Sequence, residues 1–129
     1  METIENTIIR NLVLNEEYTR KVLPFLKPEY FENTHEKIIF EESAKFIIEY
    51  DKCPTKEILS IECEKRKDIN DDTFKEVTTY LNDISSEPVQ EDWLVDSTEK
   101  WCKERAIYLA LVESISIADR HDIKKGVDA

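Results

Sequence analysis

Asp68, Asn70 and Asp72 alternate at the spacing that opens a calcium-binding loop. Such a loop needs Gly at its sixth position for the sharp turn and a bidentate Glu at its twelfth. Here those positions hold Thr73 and Thr79, so the acids read as helix-capping residues instead of ligands. Cys102 and His121 are the residue types of a nucleophile–base pair. They are nineteen residues apart, which on one continuous helix is roughly 30 Å, far beyond proton-transfer distance. His35, beside Glu36 in a first helical turn, reads as a surface or core-edge residue. Glu16-Glu17 and Glu41-Glu42 are neighbours in sequence, so each pair splays around its helix toward water. Lys65-Arg66-Lys67 is the one basic run, and Glu62, Glu64 and Asp68 dilute it. A phosphate-binding loop needs two glycines and a Lys-Ser/Thr pair, and the only Gly is Gly126. No catalytic, cofactor-binding or metal-binding residues are expected.

The same shortage of Gly bears on the fold. All-β folds and nucleotide-binding α/β folds place glycines at tight turns, so 129 residues with a single Gly point to an all-α domain. Its dominant stretch is Asp92 to Asp119, which holds neither Gly nor Pro and reads as one long helix. Leu94, Trp101, Tyr108 and Ile115 recur every seventh residue, widened by Trp93, Leu111 and Val112, the signature of a helix packed lengthwise on another. Val95, Cys102, Ala106, Leu109 and Ile117 form a second stripe. From Ala106 to Val112 the sequence AIYLALV has no polar residue on any side, and a helix apolar all round is buried all round. One face is expected to lie on the chain's own earlier helices, and the other on another molecule.

In chain order, Thr3 to Val13 reads as an amphipathic helix with Ile4, Ile8 and Leu12 inward. Asn15 is a good N-cap for a second, short helix through Tyr18 and Val22 that Pro24 interrupts. In the following PFLKPEYFEN, the residues Phe25, Leu26, Tyr30 and Phe31 read as plugs that close a small core. Asn33 or Thr34 caps a helix to about Tyr50, with Ile39, Phe40, Ala44, Phe46, Ile47, Ile48 and Tyr50 covering over half its circumference. That makes it the central helix, with Glu41 and Lys45 as i,i+4 partners on its wet side. Pro54-Thr55 restarts the chain into a peripheral helix over Lys56 to Lys67. Asn70 caps Asp71 to Ile84, striped by Phe74, Val77, Leu81 and Ile84. The linker is SSEPVQ, residues 85–90.

The expected architecture is a helical head over residues 1–87, followed by residues 88–129 as the long helix and the start of a hairpin, packed together as one domain. A break is expected at Arg120-His121-Asp122. Phe74, Leu81, Trp93, Leu94 and Trp101 are expected to join the head to the long helix. Tyr108, Leu111, Val112 and Ile115 are expected at or beside a self-association seam.

The net charge is −11, with the acidic excess spread along the chain. Such a surface repels phosphate backbones and anionic lipid, so neither direct nucleic-acid binding nor a membrane partner is expected. Three cysteines without a CxxC suit a reducing, cytoplasmic compartment. For a phage-encoded chain, that compartment is the host cytoplasm.

Two stretches, NLVLNEEYTRKVLPFLKPEYFEN at residues 11–33 and DWLVDSTEKWCKERAIYLAL at 92–111, resemble the N-terminal domain of replicative DNA helicases of T4-type bacteriophages, of the DnaB-like class. Leu14, Tyr18, Val22, Pro24, Tyr30 and Phe31 carry the resemblance early. Trp93, Leu94, Val95, Thr98, Glu99, Lys100, Arg105 and Ala106 carry it late. The resemblance implies a helical head followed by a helical hairpin, domains paired through the hairpins, and a tier of such domains above the ATPase motors of a hexamer. It implies primase and the helicase loader as partners, with ATP and Mg confined to a motor domain that this sequence lacks. Against that pattern the sequence stops at Ala129, inside the expected hairpin, as in an excised domain or a truncated relative. The competing reading is a free-standing acidic protein that mimics DNA and inhibits a basic enzyme. The charge suits a mimic, but the apolar long helix does not.

Overall fold

The computed structural model describes the backbone of residues 3–128 and the side chains of residues 3–118. The fold is all-α, with no strand among the described residues. Helix α1 spans Ile4–Leu14, α2 Glu16–Val22, α3 Thr34–Tyr50, α4 Lys56–Glu64, α5 Asp71–Asp83 and α6 Glu91–Asp128. Two 3-10 turns, Leu23–Phe25 and Pro28–Tyr30, join α2 to α3.

The starts of these helices are written in short polar side chains. Thr3, Asn15, Thr55 and Asn70 each accept a bond from a backbone N–H in the following first turn, at 2.8–3.2 Å. This satisfies donors that a helix N-terminus otherwise leaves unpaired. Asn33 precedes α3 but instead donates from Nδ2 to Glu36 at 2.8 Å. The ends follow from Pro and from one special turn. After α3 the chain reverses through Asp51 at φ 57°, the left-handed position usually filled by Gly. Asp tolerates that region better than most residues. Arg20 secures the turn, donating to the Asp51 carbonyl at 2.7 Å and its carboxylate at 3.2 Å.

Helix α3 sits at the centre of the head, against α1, α4, α5 and the second 3-10 turn. Ile8, Ile9, Leu12, Tyr18, Val22, Phe31, Ile39, Leu59, Val77 and Leu81 form the core around it. Three expectations on this side need correction. Ile48 and Tyr50 lie on the outer face of α3 and are exposed. Phe25 points to solvent, whereas Leu26, Tyr30 and Phe31 do plug the core. Glu41 pairs with Arg66 at 3.3 Å instead of Lys45. Arg66 also holds Glu42 and Asp68, because α4 ends at Glu64, short of Lys67, and the chain turns there.

Helix α6 also differs from expectation. It runs unbroken through Arg120-His121-Asp122 to Asp128, since those residues are adequate helix formers and no Pro intervenes. No returning helix lies among the described residues. At 38 residues α6 is roughly 57 Å long.

Ile39 is 0% exposed and Ile48 is 82% exposed on the same helix. Ile39→Ala is expected to cost about 2–5 kcal/mol of stability. Ile48→Ala should stay within about 0.5 kcal/mol of the parent. Urea denaturation of the two variants checks the contrast, and equal losses would contradict this placement of α3.

Candidate functional site

The early turns of α6 are fixed to the head by alternating apolar and polar contacts. Lys21 donates to Glu91 at 2.8 Å at the first turn. This pairing, a charge-assisted hydrogen bond, holds the Lys21 ammonium above its ordinary pKa. Leu94 and Thr98 are buried one and two turns on. The Thr98 hydroxyl has one proton, and it goes to the Leu94 carbonyl at 2.7 Å. The Tyr18 hydroxyl, 2.5 Å from Thr98 Oγ1, is therefore the donor between them. Burial pushes the Tyr18 phenol well above its usual pKa, so that proton stays in place at physiological pH.

Trp101 enters next. Its ring lies 5.1 Å from Phe31 and edge-on to Tyr30 at 6.1 Å, and Phe31 in turn lies 5.4 Å from Phe40 of α3. The indole N–H donates to Glu5 of α1 at 3.2 Å. Arg105 closes the junction. Its Nε donates to the Tyr30 carbonyl at 2.8 Å and its Nη1 to Glu32 at 3.3 Å. The same guanidinium sits 5.0 Å above the Tyr108 ring, within cation–π range. The linker before α6 is also tied down. Arg10, buried on α1, donates to the carbonyl of Glu87 at 2.5 Å.

The residues expected to join head and long helix divide. Leu94 and Trp101 are buried, Leu81 is buried on α5, and Phe74 is partly buried. Trp93, however, is 53% exposed. The expected partner is corrected too: α6 lies mainly on α1, α2 and the second 3-10 turn, while the stripe of α5 faces α3 and α4. A helix that follows a linker need not pack on the helix before it. Here the plugs at Tyr30 and Phe31 occupy the position beside Trp101.

Beyond Arg105 the head's cover thins, with Leu109 still partly buried against the core. Ile107, Tyr108, Leu111, Val112, Ile115 and Ile117 are all exposed, Leu111 by 58%. The expected seam residues Tyr108, Leu111, Val112 and Ile115 thus share a projecting segment, from which the head withdraws. The expectation that AIYLALV is buried all round does not hold within a single chain. Large exposed apolar patches on protein surfaces often belong to interaction sites.

Other candidates fall away on geometry. Asp68 does not open a cation loop: Arg66 donates to it at 2.6 and 2.9 Å and holds its carboxyl down at about 2. Asn70 is occupied as a helix cap. Burial pushes the Cys63 and Cys102 thiols up to about 11, so both stay protonated near neutral pH. The His121 side chain lies outside the described residues. Among the described residues no three His, Cys, Asp or Glu side chains gather as metal ligands, and no helix is long and apolar enough to cross a membrane. His35 stacks on Tyr80 at 5.3 Å beside an open shelf of about 500 Å³. A second depression, about 490 Å³, lies between the Leu23–Pro28 segment and α3 and is walled by apolar side chains.

The fold and its exposed surface thus describe an all-helical domain whose prominent feature is an exposed apolar face on α6. The comparison with curated proteins points the same way. The chain is similar to the DnaB-like replicative helicase of Enterobacteria phage T4, at 28% identity over 110 residues. Those residues are 85% of this chain but 23% of the helicase, so the chain spans under a quarter of that relative's length. No protein-family model matches the chain. The similarity supports a relation to replicative helicases and fits a role connected with DNA replication. Thr98, named from sequence only as a point of resemblance, forms the buried polar contact between α2 and α6 with Tyr18.

That contact is testable by a double-mutant cycle. Thr98→Val leaves the buried Tyr18 hydroxyl without its acceptor and is expected to cost about 1–3 kcal/mol. Tyr18→Phe should cost less, because Thr98 keeps its bond to Leu94. The double variant should be more stable than the sum of the single losses implies. Strict additivity in chemical denaturation would mean the two groups do not interact.

Proposed function

We propose that this chain is a non-catalytic assembly domain of a DnaB-like replicative helicase. In this reading it associates with further copies of itself through the projecting part of α6, and it gives primase and the helicase loader a docking surface. The observation that carries it is the apolar face from Ile107 to Ile115, exposed where α6 leaves the head. The similarity to the T4 helicase over most of the chain supplies the context. ATP hydrolysis and DNA translocation would then belong to a motor domain outside this sequence. A DNA-mimic reading accounts for the charge of −11, but it gives the apolar face no task.

The contact residues are Tyr108, Leu111, Val112 and Ile115. Each is exposed in the single chain, so replacement by a charge should break association without unfolding the head. Sedimentation equilibrium across a concentration series is expected to show reversible self-association of the wild type. Leu111→Asp with Ile115→Asp should give a folded monomer. A wild type that remains monomeric at high concentration would end this reading.

The distributed negative charge sets a second expectation. Fluorescence anisotropy with a forked DNA should show no salt-sensitive binding below about 10 µM protein. Micromolar binding that weakens steeply with salt would return nucleic acid to the domain's own ligands.

A further inference from the structure

Tyr108 stands where the supported part of α6 gives way to the exposed part. It is 52% exposed, yet one side of its ring is taken. The Arg105 guanidinium carbon lies over that ring, 5.0 Å from its centroid. A long side chain on a helix leans toward the N-terminus and covers the turn before its own Cα. Tyr108 therefore leans back onto the turn that carries Arg105.

Arg105 is not free to follow the ring. Its side chain is only 15% exposed. Nε donates to the Tyr30 carbonyl at 2.8 Å, and Nη1 donates to Glu32 at 3.3 Å. That carbonyl is itself fixed. The Tyr30 and Phe31 amides close the turn onto the Lys27 and Pro28 carbonyls at 3.1 and 3.2 Å. The Tyr30 ring is buried, edge-on to Trp101. A guanidinium suits this place, because its N–H groups point outward in one plane while its flat face stays open to an aromatic ring. A Lys ammonium has no flat face and sets its three donors around a point. The contacts from Tyr30 through Arg105 to Tyr108 thus run from the core to the first residue of the exposed stripe.

We infer that Arg105 is a positioning residue for self-association: it holds the Tyr108 ring in one orientation, so that the seam begins on a surface ordered before a second copy arrives. The inference rests on the reading that Tyr108, Leu111, Val112 and Ile115 mediate self-association, and it names what orders the first of them. Freezing a mobile side chain on contact weakens binding. Here the ring is already held when the domain folds.

Three variants of the full chain test this. Tyr108→Phe keeps a ring over Arg105. Tyr108→Leu keeps apolar surface and offers no π face. Tyr108 is exposed, so both should keep the helical circular dichroism of the parent. Arg105→Lys keeps the charge and removes the flat face. In sedimentation equilibrium Tyr108→Phe should associate as wild type does. Tyr108→Leu and Arg105→Lys should each associate about three- to tenfold more weakly. Arg105→Lys combined with Tyr108→Leu should be no weaker than Tyr108→Leu alone. A purely structural role for Arg105 would add its own loss in the leucine background, and that additivity overturns the inference. So does Tyr108→Leu associating like wild type, or Tyr108→Phe falling as far as Tyr108→Leu; both comparisons hold even if Arg105→Lys unfolds. The contact also has a readout that needs no association. In the chain carrying Leu111→Asp and Ile115→Asp, ring current should shift the Arg105 side-chain protons upfield in NMR spectra, and adding Tyr108→Leu should abolish the shift. If the shift is missing, this inference falls and the assembly reading stands on its own test. If the shift is present and wild type stays monomeric, the assembly reading falls and takes this role with it.

Discussion

Everything in this molecule depends on a mismatch of lengths. Helix α6 is roughly 57 Å long, and the head supports only about its first five turns. Up to Arg105 every turn finds a partner: Lys21, then Tyr18, then Glu5 with Phe31, then the Tyr30 carbonyl. Past Arg105 the cover thins to Leu109, partly buried against the core, although the apolar residues continue. The same sequence pattern therefore has two physical outcomes along one helix. It is core where the head lies alongside and exposed surface where the head's cover runs out.

The polar groups at this junction do a different job from the apolar ones. A seven-residue apolar repeat leaves similar side chains one or two turns apart, so hydrophobic contact alone tolerates a slip along the helix axis. Hydrogen bonds do not. The Tyr18–Thr98–Leu94 chain is buried, and a shift of one turn would leave its groups unpaired away from water, which costs about 1–3 kcal/mol each. Arg105 adds a second fixed point, reading the Tyr30 carbonyl and Glu32 with different nitrogens of one rigid guanidinium. The segment that presents Tyr30 is itself held in two Pro-containing 3-10 turns. The register of α6, and thus the direction in which its free end leaves, is set by a short polar list.

Much of this was readable in the sequence, because it is local. Helix starts follow from a capping side chain within three residues, and Thr55, Asn15 and Asn70 mark theirs. The end of α2 follows from Pro24, and the Val77–Leu81 face of α5 from its spacing. What the sequence hid is non-local. Trp93 and Trp101 are both Trp residues on one helix, yet one is exposed and the other stacks on Phe31. The eight-residue step turns the helix about 80° past two full rotations, enough to move a side chain off the head. The partner of Trp101 comes from a loop seventy residues earlier, which no pattern within α6 specifies. Ile48 and Phe25 failed for a related reason. Hydrophobicity says that a residue gains by burial, but not whether this chain supplies the cover.

That last distinction also separates the two kinds of apolar surface left over. A scattered exposed residue such as Ile61 is ordinary on any domain. The free end of α6 is different because its residues are contiguous, lie on a rigid element and begin where an ordered junction stops. Rigidity matters because a preformed helix loses little conformational entropy on meeting a partner, whereas a flexible tail of the same composition would lose much of its binding energy to ordering. The acidic surface works in the opposite sense. It weakens unspecific encounters between copies, so in the proposed assembly close apposition would be favourable only where apolar area is buried. In the proposed assembly, long-range repulsion would suppress disordered clustering while the short-range apolar face would admit one arrangement.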